Sequence, residues 1–300
     1  MTFSIVAFDK NKKEIGFAIA SCCWNAGLVC NATEKGAIAH QAKGNTKYHP
    51  TFFQKLAEKM TLEEILQYFK SIDENIETRQ IGMISFDEEK ALSFTGKECS
   101  IWAEHKIGRD YACQGNTLVS SDVITQMSIA FEAKDGSLTE RLYEALLAGE
   151  AVGGDARGKQ AARLCVKKVN EKADNQIITI VDFNIEDHEE PVKEIGRLLS
   201  IRENYRKLSL MGQELEQVDT DEERSIILMK AQEFLEDKKE PRYLDMWSTL
   251  GYMNYSLGKI ESAFYCFKTL LEISPTILDV FMIEAKTSGL SEEFIKSLIE

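Results

Sequence analysis

Between Thr2 and about Ile185 the spacing of apolar positions switches repeatedly between a period near two and a period near four, and each switch marks an element. Residues 2–8 (TFSIVAF) and 15–23 (IGFAIASCC) are rich in β-formers, and the polar stretch Asp9-Lys10-Asn11-Lys12 between them predicts a hairpin. A third strand is predicted over 36–42 (GAIAHQA). From Pro50 to Lys59 and from Thr61 to Ile72 the spacing is helical. Thr61-x-x-Glu64 is a capping box, whose hydroxyl and carboxylate satisfy free N–H groups of the first turn. Strands are predicted again over 79–86, 90–95, 99–105 and 111–116. Helices follow over 121–133 and 137–148, the second opening on the capping box Ser137-x-x-Glu140. Strands over 163–169 and 176–185 and a helix from Pro191, where proline fits a first turn, complete the pattern.

The strands come in hairpin-like clusters and not singly between helices, which disfavours a doubly wound parallel sheet. An α+β fold is expected, with antiparallel sheets covered by paired helices in a four-layer αββα sandwich. After about Leu208 no strand-like run remains and acidic side chains outnumber basic ones. Two domains are therefore predicted, 1–205 and an all-α tail over 206–300. In the tail, Trp247, Leu250, Gly251, Gly258, Ala263, Phe267 and Pro275 resemble the tetratricopeptide pattern, in which large and small residues alternate where two antiparallel helices pack. Asn254 stands where that pattern has Tyr, and Pro241 precedes Pro275 by one repeat length. A single repeat cannot bury its own faces, so it must pack on neighbouring helices or on a partner.

Composition narrows the function classes. With 44% hydrophobic and 28% charged residues, the chain reads as a soluble globular protein. Thirty-six basic against 49 acidic side chains give a net charge of −13, which argues against general affinity for nucleic acid or anionic lipid. No apolar stretch approaches the length of a bilayer span, the opening residues do not read as a signal peptide, and the expected compartment is the cytoplasm. Seven cysteines (22, 23, 30, 99, 113, 165 and 266) lack both disulfide-framework and zinc-ligand spacing, so reduced thiols packed as small apolar groups are expected, with no metal or other cofactor. Gly153-Gly154-Asp155-Ala156-Arg157-Gly158-Lys159 imitates a phosphate loop. It follows a helix, however, and Gln160 replaces the magnesium-binding Ser or Thr, so a close-approach turn is the better reading.

Thr2 is the most informative single residue, although a Met-Thr opening is common to many proteins. Removal of the initiator Met1 before this small residue would leave an N-terminal threonine whose hydroxyl attacks while its own α-amine takes the proton. The chain around it, TFSIVAFD, EIGFAIAS and AGLV, then GAIAHQA with Asn45 and Tyr48, RQIG, TGKEC-x-x-WAEH, QGN at 114–116, GGDARGKQ-A at 153–161 and VDFNIEDHEEPVKEIGRLL at 181–199, resembles the domain of unknown function 1028 family. Glu104 stands where that family has Gly, and Ala161 where it commonly has Ser. The resemblance, over about residues 1–205, implies the N-terminal-nucleophile (Ntn) hydrolase fold and an amidohydrolase acting on a small amide or peptide-like substrate.

On that reading Thr2 is the nucleophile and the Gln114-Gly115-Asn116 turn supplies oxyanion donors, through the Asn116 side chain or the Gly115 N–H. Asp155 anchors the Thr2 ammonium or a substrate amine, and Arg157 pairs with a substrate carboxylate. Gln41, Asn45 and His105 complete the expected substrate-binding set. The rival expectation is a binding module of the same fold without chemistry, its helical tail engaging a protein partner or a second copy.

Overall fold

The computed structural model describes residues 2–100, 102–170 and 176–299. The chain divides into two compact units, Met1–Ser200 and Ile201–Glu300. The first is mixed α and β with antiparallel sheets, and the second is helical. Among the described residues no helix is long and apolar enough to cross a membrane.

The first unit holds ten strands: β1 (Thr2–Asp9), β2 (Glu14–Ser21), β3 (Cys30–Ala32), β4 (Gly36–Ala42), β5 (Arg79–Ser85), β6 (Lys90–Thr95), β7 (Glu104–Ile107), β8 (Tyr111–Asn116), β9 (Ala161–Asn170) and β10 (Gln176–Ile185). They form a six-stranded sheet ordered β10-β9-β2-β1-β8-β7 and a four-stranded sheet ordered β3-β4-β5-β6. The helices are α1 (Tyr48–Ala57), α2 (Leu62–Ile72), α3 (Asp122–Ala133), α4 (Leu138–Ala151) and α5 (Pro191–Gln217). Both predicted capping boxes form, at Thr61 before α2 and at Ser137 before α4.

Strand alternation decides what each layer buries. On β1 the residues Phe3, Ile5 and Ala7 face α3 and α4, where they share a core with Met127, Phe131, Leu142, Leu146 and, from the start of α5, Val192 and Ile195. Their neighbours Val6 and Phe8 point the other way, into a core with Ile15, Phe17, Ile19, Ala37, Ala39 and Ile84 that joins the two sheets. On the far side of the four-stranded sheet Ile38, Ile81 and Met83 pack on Tyr48, Phe52, Ile65 and Phe69 of α1 and α2.

The sequence reading needs five amendments. The strand expected over 99–105 begins only at Glu104: the chain turns at Gly96–Cys99, and Trp102 takes a left-handed φ of 56° that a strand does not accommodate. Residues 114–116 belong to strand β8 itself, and the turn comes after them. Strand β2 stops at Ser21, before Cys22-Cys23, and the short β3 was not anticipated, because its three residues are too few for a readable alternation. Finally, α5 runs on to Gln217, and the boundary between the units falls within this helix.

The second unit adds α6 (Asp221–Leu235), α7 (Leu244–Ser256), α8 (Ile260–Ile273), α9 (Leu278–Thr287) and α10 (Glu292–Ile299). Trp247, Leu250, Ala263, Phe267 and Phe281 lie at the centre of its core. A side chain on Gly251 would run into the ring of Phe267, so the α7–α8 contact depends on that glycine. Pro241 and Pro275 each open a short 3-10 turn leading into α7 and α9. Asn254, buried in the core, satisfies its amide on the Leu250 carbonyl one turn back (2.9 Å).

Candidate active site at the Thr2 end of the sheets

The core between the sheets is apolar at one end and polar at the other, and the sequence of β1 shows why. Its inter-sheet face reads Thr2, Ser4, Val6, Phe8: the first two positions bring hydroxyls where the last two bring hydrocarbon. Thr2 pairs with Asn116 in the β1–β8 ladder, and its Oγ1 lies 3.2 Å from Ser21 Oγ at the end of β2. Thr2 is 6% exposed.

Burying this many polar groups is tolerable only if each finds a partner. Three glutamines supply most of them. Gln41 Oε1 accepts from Ser4 Oγ (2.8 Å), while its Nε2 reaches Gln80 Oε1 (2.8 Å), Gln114 O (3.1 Å) and Thr2 O (3.2 Å). Gln114 Nε2 donates to Ser4 Oγ (2.6 Å). Gln80 Oε1 accepts from Asn116 Nδ2 (3.1 Å), and Gln80 Nε2 donates towards Gly115 O (2.8 Å), Thr95 Oγ1 (3.0 Å) and Glu104 O (3.0 Å). Gly82 leaves room for this network: a Cβ there would sit 2.1 Å from Gln114 Oε1.

Of the residues selected from sequence, Thr2, Asn116 and Gln41 thus meet in one buried network. Gly115 sits inside the sheet between Phe3 and Glu104, and a side chain there would meet Leu118 and Ile124 on the helix side. Asp155 and Arg157 lie next to the network, where β2 ends. Asp155 is buried, and its carboxylate accepts from Cys22 N (3.0 Å), Arg157 N (2.9 Å), Arg157 Nε (3.2 Å) and Arg157 Nη2 (2.9 Å). The Gly-rich turn is also stitched to the segment after β8, through Ala156 N to Thr117 O (3.1 Å) and Val119 N to Gly154 O (3.1 Å).

Asn45 and His105 stand further off. Asn45 donates its Nδ2 to Asp73 (3.2 Å) and its N–H to His40 Nδ1 (3.2 Å) on the opposite face of β4 from Gln41. Burial alone would raise the Asp73 carboxyl, but hydrogen bonds from Arg79, Tyr48, Asn45 and the Asn75 N–H outweigh it and hold that carboxyl well below its usual range. His105 Nδ1 is 2.9 Å from Thr95 Oγ1, and burial lowers its pKa. Its link to Asn116 runs through Thr95 and Gln80.

Ser4, Ser21 and Gln80 were not singled out from sequence. The available signal was a polar residue at an inward position of an otherwise apolar strand, as Gln80 is among Ile81–Ile84 of β5. Backbone strain marks the same neighbourhood. Thr117, directly after Asn116, has a φ of 49°, costly for a β-branched residue, and its buried Oγ1 has no partner among the described residues. All seven cysteines are free thiols, and among the described residues no cluster of three or more His, Cys, Asp or Glu is placed to hold a metal.

Residues 2–195 match the family described as a family of unknown function, DUF1028. The chain belongs to that family. The match spans every strand of both sheets and all the candidate residues above, and it stops within α5. Among solved structures, the chain is similar to the crystal structure of protein SPO2555 from Silicibacter pomeroyi, also a DUF1028 protein. Identity is 26% and the TM-score 0.59, covering 66% of this chain and 88% of that one. No curated protein matches. The DUF1028 assignment thus concerns the first unit and leaves the helical unit outside it.

Proposed function

We propose that the protein is an amidohydrolase of the Ntn type, with Thr2 as nucleophile after loss of Met1, acting on a small amide or peptide-like substrate. One observation carries the reading: Thr2 is the first residue of a central strand and turns its hydroxyl into the polar end of the space between two sheets, beside Asn116. The helix–sheet–sheet–helix order of the three cores is what an Ntn sandwich requires. The Thr2 α-amine would take the hydroxyl proton as Oγ1 attacks the amide carbonyl, and the amine leaving group would depart with that proton. Water would then hydrolyse the acyl ester on Thr2. Asn116 Nδ2 is the side-chain donor nearest in the ladder for the developing oxyanion. In the second unit, the α7–α8 pair, with Gly251 against Phe267 and proline-opened turns one repeat apart, supports a tetratricopeptide-like tail for a protein partner or self-association.

Met1 lies outside the described residues, so its removal is the first test. Intact mass of protein purified from its native host should lack the methionine, and retained Met1 as the only species would sink the reading, because an acylated nitrogen cannot serve as the base. Thr2→Ala should abolish hydrolysis of a panel of amino-acid anilides while Thr2→Ser retains it. The second reading, a binding module without chemistry, is favoured by the closure of this end. The hollow against Ser21, Gly154 and Asp155 holds only about 10 Å³, roughly the minimum for one water. Ligand binding undiminished by Thr2→Ala, with Met1 retained, would establish that reading instead.

A further inference from the structure

The second unit has a hollow of its own, about 740 Å³, where the later part of α5 faces α6 and α7. Its α6 wall is a single helical face, Arg224, Leu228, Ala231 and Leu235, which recur at helical spacing. That face runs for about 16 Å, or about three turns of helix. Leu228, Leu235 and Leu250 are buried at the floor of the hollow, whereas Met211, Met246 and Met253 stand half-buried around it.

Three features of this groove point to a guest. Methionine is unbranched and polarisable, so a rim of three methionines adapts to the side chains of whatever enters. Gly212 lines the groove from inside α5, where glycine weakens a helix relative to alanine. A Cβ added there would have nothing within 4 Å, so close packing does not call for the glycine, whereas another backbone laid along α5 would. The groove is also polarised. Only residues 218–220 separate α5 from α6, which puts Glu216 and Arg224 at one end, while Leu235 and Met246 line the other. From 214 to 224 the chain has six acidic side chains and one basic, Arg224, whose guanidinium lies 3.5 Å from Asp221. Glu216 has no hydrogen bond or ion pair among the described residues.

We propose that this groove takes one amphipathic α-helix of a partner protein, with its apolar face among the methionines and its Lys or Arg side chains at the Glu216 end. An apolar groove about three turns long suits a helix with apolar residues at i, i+3, i+4 and i+7, and the acidic end selects a basic helix over an acidic one. A second copy of this chain, at a net charge of −13, would bring like charge to that end. The proposal deepens the reading of the helical unit as a partner-binding tail and is independent of the chemistry at Thr2.

The experiment is fluorescence-anisotropy titration of the full-length protein with three labelled peptides of about 14 residues, long enough for the groove as helices. The first has Leu on one helical face and Lys on the other; the second carries Glu in place of Lys; the third keeps Lys but carries Ala in place of Leu. The first should bind about tenfold or more tighter than either of the others. Gly212→Leu fills the groove from a position with open space around it, so its melting temperature should be unchanged or raised while the first peptide binds about tenfold or more weaker. Glu216→Lys should weaken the first peptide and strengthen the second. No binding of the first peptide, or equal binding of the first and third, which marks attraction to net charge alone, would overturn the proposal. A dimer in sedimentation that Gly212→Leu dissociates would also overturn it, by giving the groove to a second copy. Undiminished binding of the first peptide by Gly212→Leu would remove the groove as the site yet leave a partner-binding tail standing.

Discussion

Acid should destabilise the first unit through one histidine. His40 is 2% exposed on β4, its Nδ1 accepting from Asn45 N–H and its Nε2 without a partner among the described residues. The His49 ring lies 4.4 Å away, centroid to centroid. Burial first, then the nearby charges of His49 and Arg79, push its pKa from 6.5 down to about 3. As pH falls below 6.5 the unfolded chain takes up a proton that the folded chain refuses until about pH 3. The contribution to stability is therefore complete above 6.5 and drains away towards 3, at about 1.4 kcal/mol per pH unit. At a pH of about 4.5, two units into that window, the loss is about 3 kcal/mol, a large part of a typical domain's stability.

Urea unfolding at near-neutral pH and at about pH 4.5, on the wild type and on His40→Asn, isolates this contribution. Asparagine keeps an oxygen where Nδ1 accepts but does not titrate. The variant starts less stable, having lost a packed ring, yet its stability should fall by about 3 kcal/mol less between the two conditions. Glu14 and Glu150, raised by burial, tilt the profile alike in both proteins and cancel in the difference, whereas His49, in ring contact with His40, does not, so the comparison is repeated in a His49→Asn background. Equal pH dependence in the two proteins would refute the reasoning, since it would mean that His40 takes its proton in the folded state.

Other outcomes follow from the polar end of the inter-sheet core. Gln80→Leu should cost about 3 kcal/mol in thermal or urea unfolding, because Asn116 Nδ2, Gly115 O and Glu104 O lose a common buried partner. Gly82→Ala drives a methyl into Gln114, which is fully buried, and should lower stability by about 2 kcal/mol; an unchanged melting temperature would show that the glutamine network is loose. Asp155→Asn should cost about 3 kcal/mol, because an amide with one acceptor oxygen and no charge replaces the buried carboxylate that holds Arg157 and the Cys22 N–H, and limited proteolysis should then cut the 153–158 turn sooner.

Much of the fold was legible because local rules and tertiary demands agree. The hairpin of β1 and β2, the paired helices and both capping boxes are set by alternation, helical spacing and short-range hydrogen bonds, all of which operate within a dozen residues. The exceptions are places where the backbone departs from its local preference: Trp102 and Thr117 in left-handed conformations, and a β3 too short to show a period. The sequence also marked Thr2, Gln41, Asn116 and Asp155 as worth locating. Only the tertiary structure could decide that Gln41 and Asn116 converge on Thr2 through Gln80 while Asp155 is occupied by Arg157 and the end of β2. Those partners come from strands far apart in the chain, and a polar residue at an inward strand position looks the same in sequence whichever groups will satisfy it. Composition and periodicity report which side chains must leave water; what they meet when they do is fixed by the registers of two sheets and the face on which each is turned.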